Sequence, residues 1–338
     1  MNRTPEERLH GAKHPFSERR TEGTTTRSRR VILLGPQRLH PTLIHAVDSL
    51  GVRGRIAAVT AGWEEREGED HELSAHLGGR SFNLRIWERG EDVYSRDAEL
   101  HVAVRQRNEK LRILQEIYQL RLKHLLEAAR EILGKGKPAG LERIYEAECD
   151  SAIASLHELD QEHLTRIREL HVEFYERWNP WQRDLVARHR QDLARMLGEA
   201  ELLCIAGGHV EILLRRLRLF GVLDLLDTQP IIAWSAGAMV VSDRVVLFHD
   251  HPPQGSGSVE VHELGLGACS GVVPLPHAEK RLWLDDVQRV ALFARRFAPD
   301  MCVTMPPNTR LDWDGERWVG QRGTKKLETN GMLVESGS

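Results

Sequence analysis

Short apolar runs alternate with amphipathic stretches over most of the chain, and that rhythm is the first readable signal. Arg30 to Gly35 (RVILLG), Arg55 to Thr60 (RIAAVT), Leu202 to Ala206 and Ile231 to Trp234 are each the length and character of a strand buried on both faces. Between the first two, Pro41 to Leu50 places Leu43, Ile44, Val47 and Leu50 on one helical face. A strand, helix and strand in that order predict a parallel sheet with right-handed crossovers and with ligands at its strand ends. The stretch 68–79 predicts a short helix, Asn83 to Trp87 a possible strand, and Thr60 to Trp63 (TAGW), at one strand end, a plain strand-to-loop turn in preference to a pocket-lining segment.

From Asp97 to Trp178 the pattern changes to glutamate, arginine, leucine and isoleucine, broken only by GKGKPAG at 134–140. Leu100, Val104, Leu111, Leu114, Tyr118, Leu122 and Leu125 form one stripe; Ile153, Leu156, Ile167, Leu170 and Phe174 form a second. The prediction is a long helical hairpin whose second seam is interrupted by Asp160 and His163. NPWQ at 179–182 ends it, with Pro180 suited to open the next helix, which runs to about Leu197. Later, Val245 to Phe248 reads as a strand, 252–258 as a mobile loop, Asp285 to Phe297 as a helix, and Cys302 to Met305 and Arg317 to Gln321 as strands around an Asp314-Gly315 turn. The expected organisation is a disordered leader over 1–30, a discontinuous α/β domain over 31–96 and 179–335, and the hairpin as an insertion over 97–178.

Composition narrows the function. The 338 residues carry 47 Lys and Arg against 50 Asp and Glu, a net charge of −3, so no basic field draws nucleic acid. Four scattered cysteines without a C-x-x-C pair fit a reducing compartment, and with no signal-like segment or membrane-length run the expected location is cytoplasmic, with no membrane partner.

Chemistry concentrates in PIIAWSAGAMVV, Pro230 to Val241. A buried strand, a serine and then Ala236, Gly237 and Ala238 have the grammar of a nucleophile elbow, in which Ser235 is lifted out of the sheet and the Ala236 N–H points at a developing oxyanion. Small residues there would also simply let a helix lie close to the sheet. What lies downstream favours chemistry: Asp250 and then His277 give the order Ser, Asp, His, with Asp243, Glu260 and Glu263 as other acids in the same interval. Upstream, Gly207 and Gly208 follow a strand and can bring the Gly208 amide in as second oxyanion donor. His209 is either a substrate contact or a helix-start residue, and Arg281 either holds a substrate carboxylate or pairs with Glu279 or Asp285. His249 and His251 flank Asp250, but no third ligand stands at a recognisable spacing, so no metal is expected. No phosphate-loop pattern accompanies the glycine pair, so no cofactor is expected either.

The strand-Gly-Gly-helix segment, WSAGA, the acid that follows and the PLPH segment together resemble the S51 serine peptidases, the aspartyl dipeptidases (peptidase E) and cyanophycinases. Arg281 and the stretch from Met305 to Trp318 take part in the resemblance, which covers most of the chain outside 1–30 and the hairpin. It implies a class I glutamine amidotransferase-like, flavodoxin-like α/β fold, a mostly parallel sheet flanked by helices. The implied activity is cleavage of a peptide or isopeptide bond next to an aspartyl residue by a Ser-His-Asp triad. The chain departs from the family at His209, where asparagine, aspartate or glutamine is common, and at Pro307, where the late loop carries an acid. An inactive scaffold using the hairpin is the other reading. A peptide or small-molecule substrate and a homodimer built on the hairpin stripes are the expected partners, with a lid over Ser235 as the hairpin's alternative role.

Overall fold

The computed structural model describes residues 14, 16, 29–135, 140–249, 258–314, 316–321 and 323–336. Most of 1–30, Asp250, His251, the loop at 252–257 and Gly315 of the late turn lie outside them.

The strand-like runs assemble into a seven-stranded sheet. In chain order its members are β1 (Val31–Leu34), β2 (Arg55–Val59), β3 (Ser81–Asn83), β4 (Ala200–Ile205), β5 (Ile231–Trp234), and a late pair, β10 (Arg310–Trp313) and β11 (Trp318–Gly320). β3, β2, β4, β5 and β1 lie side by side in parallel, and β10 and β11 add an antiparallel hairpin beyond β1. All four residues of β1 and of β5 are buried, as strands covered by helices on both faces require. The helices are α1 (Leu43–Ser49), α2 (His71–His76), α3 (Ile86–Arg96), α4 (Ala98–Gly134), α5 (Glu142–Trp178), α6 (Asp184–Gly198), α7 (Val210–Phe220), α8 (Ala236–Val241), α9 (Ala278–Arg281) and α10 (Val287–Phe297).

The architecture is thus mixed α/β with a parallel-rich central sheet, but not one sheet. β8 (Val272–Pro276) and β9 (Met301–Met305) run parallel in a separate four-stranded sheet with β12 (Lys325–Leu327) and β13 (Leu333–Glu335); β6 (Arg244–Leu247) and β7 (Glu260–Leu264) form a third, antiparallel pair. The possible strand at Asn83 to Trp87 ends at Asn83 instead. Arg85 adopts a left-handed conformation (φ 53°, ψ 46°) and Ile86 opens α3, whose first amides, Trp87 and Glu88, donate to the buried Glu67 carboxylate. A buried acid satisfying orphan amides at a helix start overrides the strand-like apolar pattern.

α4 and α5 each span 37 residues. Lys110 meets Glu173 at 3.0 Å and Arg121 meets Glu162 at 2.7 Å, an ordering that makes the two helices antiparallel. They do not stand apart from the sheets. Leu100, Tyr118, Leu126, Leu156 and Phe174 share one continuous apolar core with β5, α7 and α10. Asp160 and His163, the polar breaks in the second stripe, are buried there too. Asp160 accepts from Tyr118 Oη at 2.7 Å and from Arg296 Nε and Nη2 at 2.8 and 2.7 Å; His163 stacks on Tyr118 at 4.0 Å and bonds Gln115 at 2.8 Å. Two residues within 1–30 are also docked on this pair: Phe16 stacks on His171 at 4.6 Å and His14 on Tyr175 at 5.9 Å. All four cysteines are buried thiols.

Candidate active site

β5 is the middle strand of the seven-stranded sheet, and the chain leaves it through Ser235 at φ 55°, ψ −125°. A side chain makes that conformation costly, on the order of 1–3 kcal/mol, so surrounding contacts must impose it. They can be named. The Ser235 amide donates to Leu34 at 3.3 Å on one side, while the Ser235 carbonyl receives the amides of Ala238 and Met239 at 3.0 and 3.3 Å on the other, forcing strand directly into helix. Gly237 makes the turn possible, because a Cβ there would sit 2.4 Å from the Ile205 carbonyl oxygen. Ser235 is left half-buried among fully buried neighbours, with its hydroxyl at the strand's carboxyl end.

The glycine pair fits against this elbow. A Cβ on Gly207 would lie 2.7 Å from Ser235 Cβ and 3.1 Å from Oγ, so the serine side chain rests on that backbone. Gly208 has φ 123°, and a Cβ there would strike the Gly62 carbonyl at 2.2 Å. That carbonyl accepts the His209 amide at 2.7 Å. The amides of Gly208 and Ala236 donate to no carbonyl or side chain among the described residues, which leaves two N–H groups beside the serine for an oxyanion. The TAGW segment is therefore more than a plain turn. It forms a short 3-10 segment, Ala61–Arg66, whose Gly62 is the platform under the glycine pair, and it holds Glu64 at φ 58°, ψ −126°. A glycine directly beyond a buried strand was the available sign.

His209 takes the helix-start position. Its Nδ1 accepts from the Ile212 amide at 3.3 Å, capping α7 and leaving Nε2 exposed.

His277 sits at the end of β8 in the left-handed conformation (φ 58°, ψ 26°), its amide donating to Met305 at 3.4 Å. Its strand belongs to the second sheet, and β8 packs on α8. No hydrogen bond joins its ring to Ser235 among the described residues. Burial, then the charges of Arg281 and Lys280, hold its pKa below the ordinary imidazole value, so the ring is neutral at pH 7. Arg281 pairs with neither Glu279 nor Asp285. Its guanidinium lies 5.9 Å from the Phe248 ring, and the His249 pKa is lowered by burial and then by the Arg281 charge. Among the described residues it meets no carboxylate.

Asp250 lies outside the described residues. The other acids are engaged elsewhere. Asp243 neighbours Arg244, which pairs with Asp300 at the entrance of β9, whereas His277 follows the exit of the parallel β8. Five strand residues separate those ends by about 16 Å. Burial, then the Asp300 charge, pushes Asp243 up to about 6. Glu263 bonds His171 at 3.0 Å and Arg218 at 3.2 Å, and Glu260 accepts from Gln119 at 2.5 Å. Both tie β7 to the helical pair.

No group of three or more potential metal ligands occurs among the described residues, and no helix there is long and apolar enough to cross a membrane. No family model matches the chain, and no curated protein does. Among solved structures the chain is similar to a peptidase from an acI-B1 Actinobacterium, at 15% identity over 92% of this chain and 95% of that one, with a TM-score of 0.44. It is also similar to a provisionally assigned peptidase E protein from Listeria monocytogenes EGD-e, at 16% identity over 39% of this chain and 64% of that one, with a TM-score of 0.28. Likeness this remote leaves the function to be argued from the site's own chemistry.

Proposed function

We propose that the protein is a serine hydrolase of the S51 type that cleaves a peptide or isopeptide bond next to an aspartyl residue. The observation that carries this reading is the backbone of Ser235, a non-glycine residue at φ 55° and ψ −125° between a buried strand and a helix, flanked by two unengaged amides. In the proposed reaction Ser235 Oγ attacks the scissile carbonyl carbon as its proton passes to the neutral His277 imidazole. The carbonyl oxygen, now an oxyanion, is received by the Gly208 and Ala236 amides. Collapse expels the amine, which takes the proton back from His277, and water activated by the same ring hydrolyses the acyl-enzyme. Asp250 is proposed to hold the ring's tautomer. Arg281, without a carboxylate partner among the described residues, is the proposed anchor for the substrate's aspartyl carboxylate. The contact between Ser235 and His277 closes in the substrate complex on this reading.

A fluorophosphonate probe tests it. Labelling of the wild type that is lost in Ser235→Ala supports the hydrolase. An inactive scaffold is the second reading, favoured by the absent Ser235–His277 hydrogen bond and by Pro307, and folded protein that does not label would select it. Turnover of aspartyl dipeptides and of β-aspartyl isopeptides then resolves the bond type.

A further inference from the structure

Phe16 is far in sequence from the rings it touches, yet it is 8% exposed. Its ring lies flat on His171, with centroids 4.6 Å apart and planes within 2°, leans on Tyr175 at 5.6 Å and meets the Arg218 guanidinium at 5.4 Å. His14 stacks on Tyr175 at 5.9 Å and its Nδ1 accepts the Phe16 amide at 3.3 Å, so the two residues dock as one unit. Leu217, Val222 and Leu266 border the same seat. It thus joins α5, the last turn of α7 and the chain leaving β7. Its walls are held by bonds that involve neither docked residue. Tyr175 Oη donates to the Arg218 carbonyl at 3.1 Å, His171 bonds Glu263 at 3.0 Å, and Arg218 pairs with Glu263 at 3.2 Å and donates to the Leu264 carbonyl. Charge is balanced there as well. Burial pushes His171 down to about 4, so it is neutral, and Glu263 matches Arg218. An uncharged ring, offering one face to an imidazole and to a cation, is the occupant these walls fit.

A seat whose walls are already fixed needs little ordering when a ring enters it. We infer that this seat is a docking site for a short aromatic segment and that its occupant is the His14–Phe16 segment of the same copy, a detachable clasp across the seam between the helical pair and α7. Arg29 Nη2 donates to the Asp227 carbonyl at 3.0 Å, five residues past Val222 of the seat. Those two positions are at most about 18 Å apart, whereas the chain from Phe16 to Arg29 can reach about 40 Å. A tether of that reach returns the clasp to its own seat without strain. The site is independent of Ser235 chemistry, because Arg218 stands about 12 Å along α7 from Val210, where the helix begins.

Thermal unfolding of the full chain carrying Phe16→Ala, with and without a synthetic peptide of residues 11–20 (GAKHPFSERR), tests this. Emptying the seat should lower Tm by on the order of 5 °C, the effect of one buried phenyl ring. Amide exchange should quicken at Phe220 and Leu266, beside the seat, while Ile232 and Ala233 in β5 keep their wild-type protection. A short flexible tether supplies an effective concentration in the millimolar range, so the peptide at about 10 mM should restore most of the lost Tm. The same peptide with alanine in place of its phenylalanine should restore none, and the wild type, its seat filled, should respond to neither. A Phe16→Ala chain as stable and as protected as the wild type overturns the clasp. A variant that is destabilised but not restored by the peptide, or a peptide that shifts wild type and variant equally, overturns the docking site. A Tm that rises with protein concentration in the wild type and not in Phe16→Ala moves the occupant to a second copy and overturns the same-copy assignment.

Discussion

Replacing Asp160 by asparagine keeps the shape of the side chain and removes its charge, which makes it a sharp test of what ties α4 and α5 to the rest of the fold. Asp160 receives both Nε and Nη2 of Arg296 and the hydroxyl of Tyr118, and the Arg296 and Asp160 side chains are 1% and 5% exposed. The amide can accept at one oxygen only, so its NH2 would be driven against an arginine N–H, and the guanidinium would keep its charge without a counter-ion. Breaking one partner of a buried pair costs about 3–5 kcal/mol, most of it the stranded charge. The consequence reaches further, because Arg296 Nη1 also donates to the Val259 carbonyl at 2.6 Å and Tyr118 Oη accepts from the Val261 amide at 3.0 Å. Strand β7 is held by the same knot.

Urea unfolding followed by tryptophan fluorescence should show the Asp160→Asn midpoint lowered by that energy divided by an unchanged m value. Exchange at the Val261 amide should accelerate in parallel. The informative comparison is Asp160→Leu with Arg296→Met, which removes both charges and fills the space with apolar atoms; it should recover most of the loss. A single variant costing under about 1 kcal/mol, or a double variant as unstable as the single, would refute the idea that a stranded charge is the dominant effect.

The active-site reading makes further predictions. Gly207→Ala puts a methyl group 2.7 Å from Ser235 Cβ, a contact that forces the elbow to shift, and should lower kcat/KM by roughly 100-fold and the urea midpoint with it. The acid limb of the kcat/KM profile should lie below the ordinary histidine value of about 6.5, because His277 is held down by burial and by Arg281; Arg281→Gln removes one positive neighbour and should move that limb upward while raising KM for carboxylate-bearing substrates. Stability should fall as pH drops from about 6.5 to about 4. His163 and His171 are both pushed down to about 4 by burial, so the unfolded chain takes up protons in that window and the folded one does not. Urea midpoints that do not change between pH 7 and pH 5 would contradict this.

Much of the site was legible from sequence because local backbone demands are written locally. A strand flush with apolar residues, a serine and three small residues allow few conformations, and Ser235, Ala236, Gly207 and Gly208 lie together because Gly237 and the glycine pair admit backbone within 3 Å. The helical pair was legible through its periodicity, which depends only on neighbours three and four apart. What escaped depends on distant partners. β7 and β12 are short segments whose strand character comes from β6 and β9 rather than from their own residues, and although Cys302 to Met305 reads as a strand, nothing local says that it pairs with β8 in a sheet apart from the central one. The role of the pair was likewise set at long range. Its stripes cover the protein's own core, and of the residues that break the seam Asp160 marks where a buried arginine from α10 had to be met, while His163 stacks on the Tyr118 of the same knot. Replacing 97–178 with a short linker should therefore yield insoluble chain rather than a smaller folded unit, since Leu156, Phe174 and their neighbours would leave the core of α7 and α10 open to water. A soluble, probe-reactive product with a reduced assembly state would instead restore dimerisation as the pair's main task.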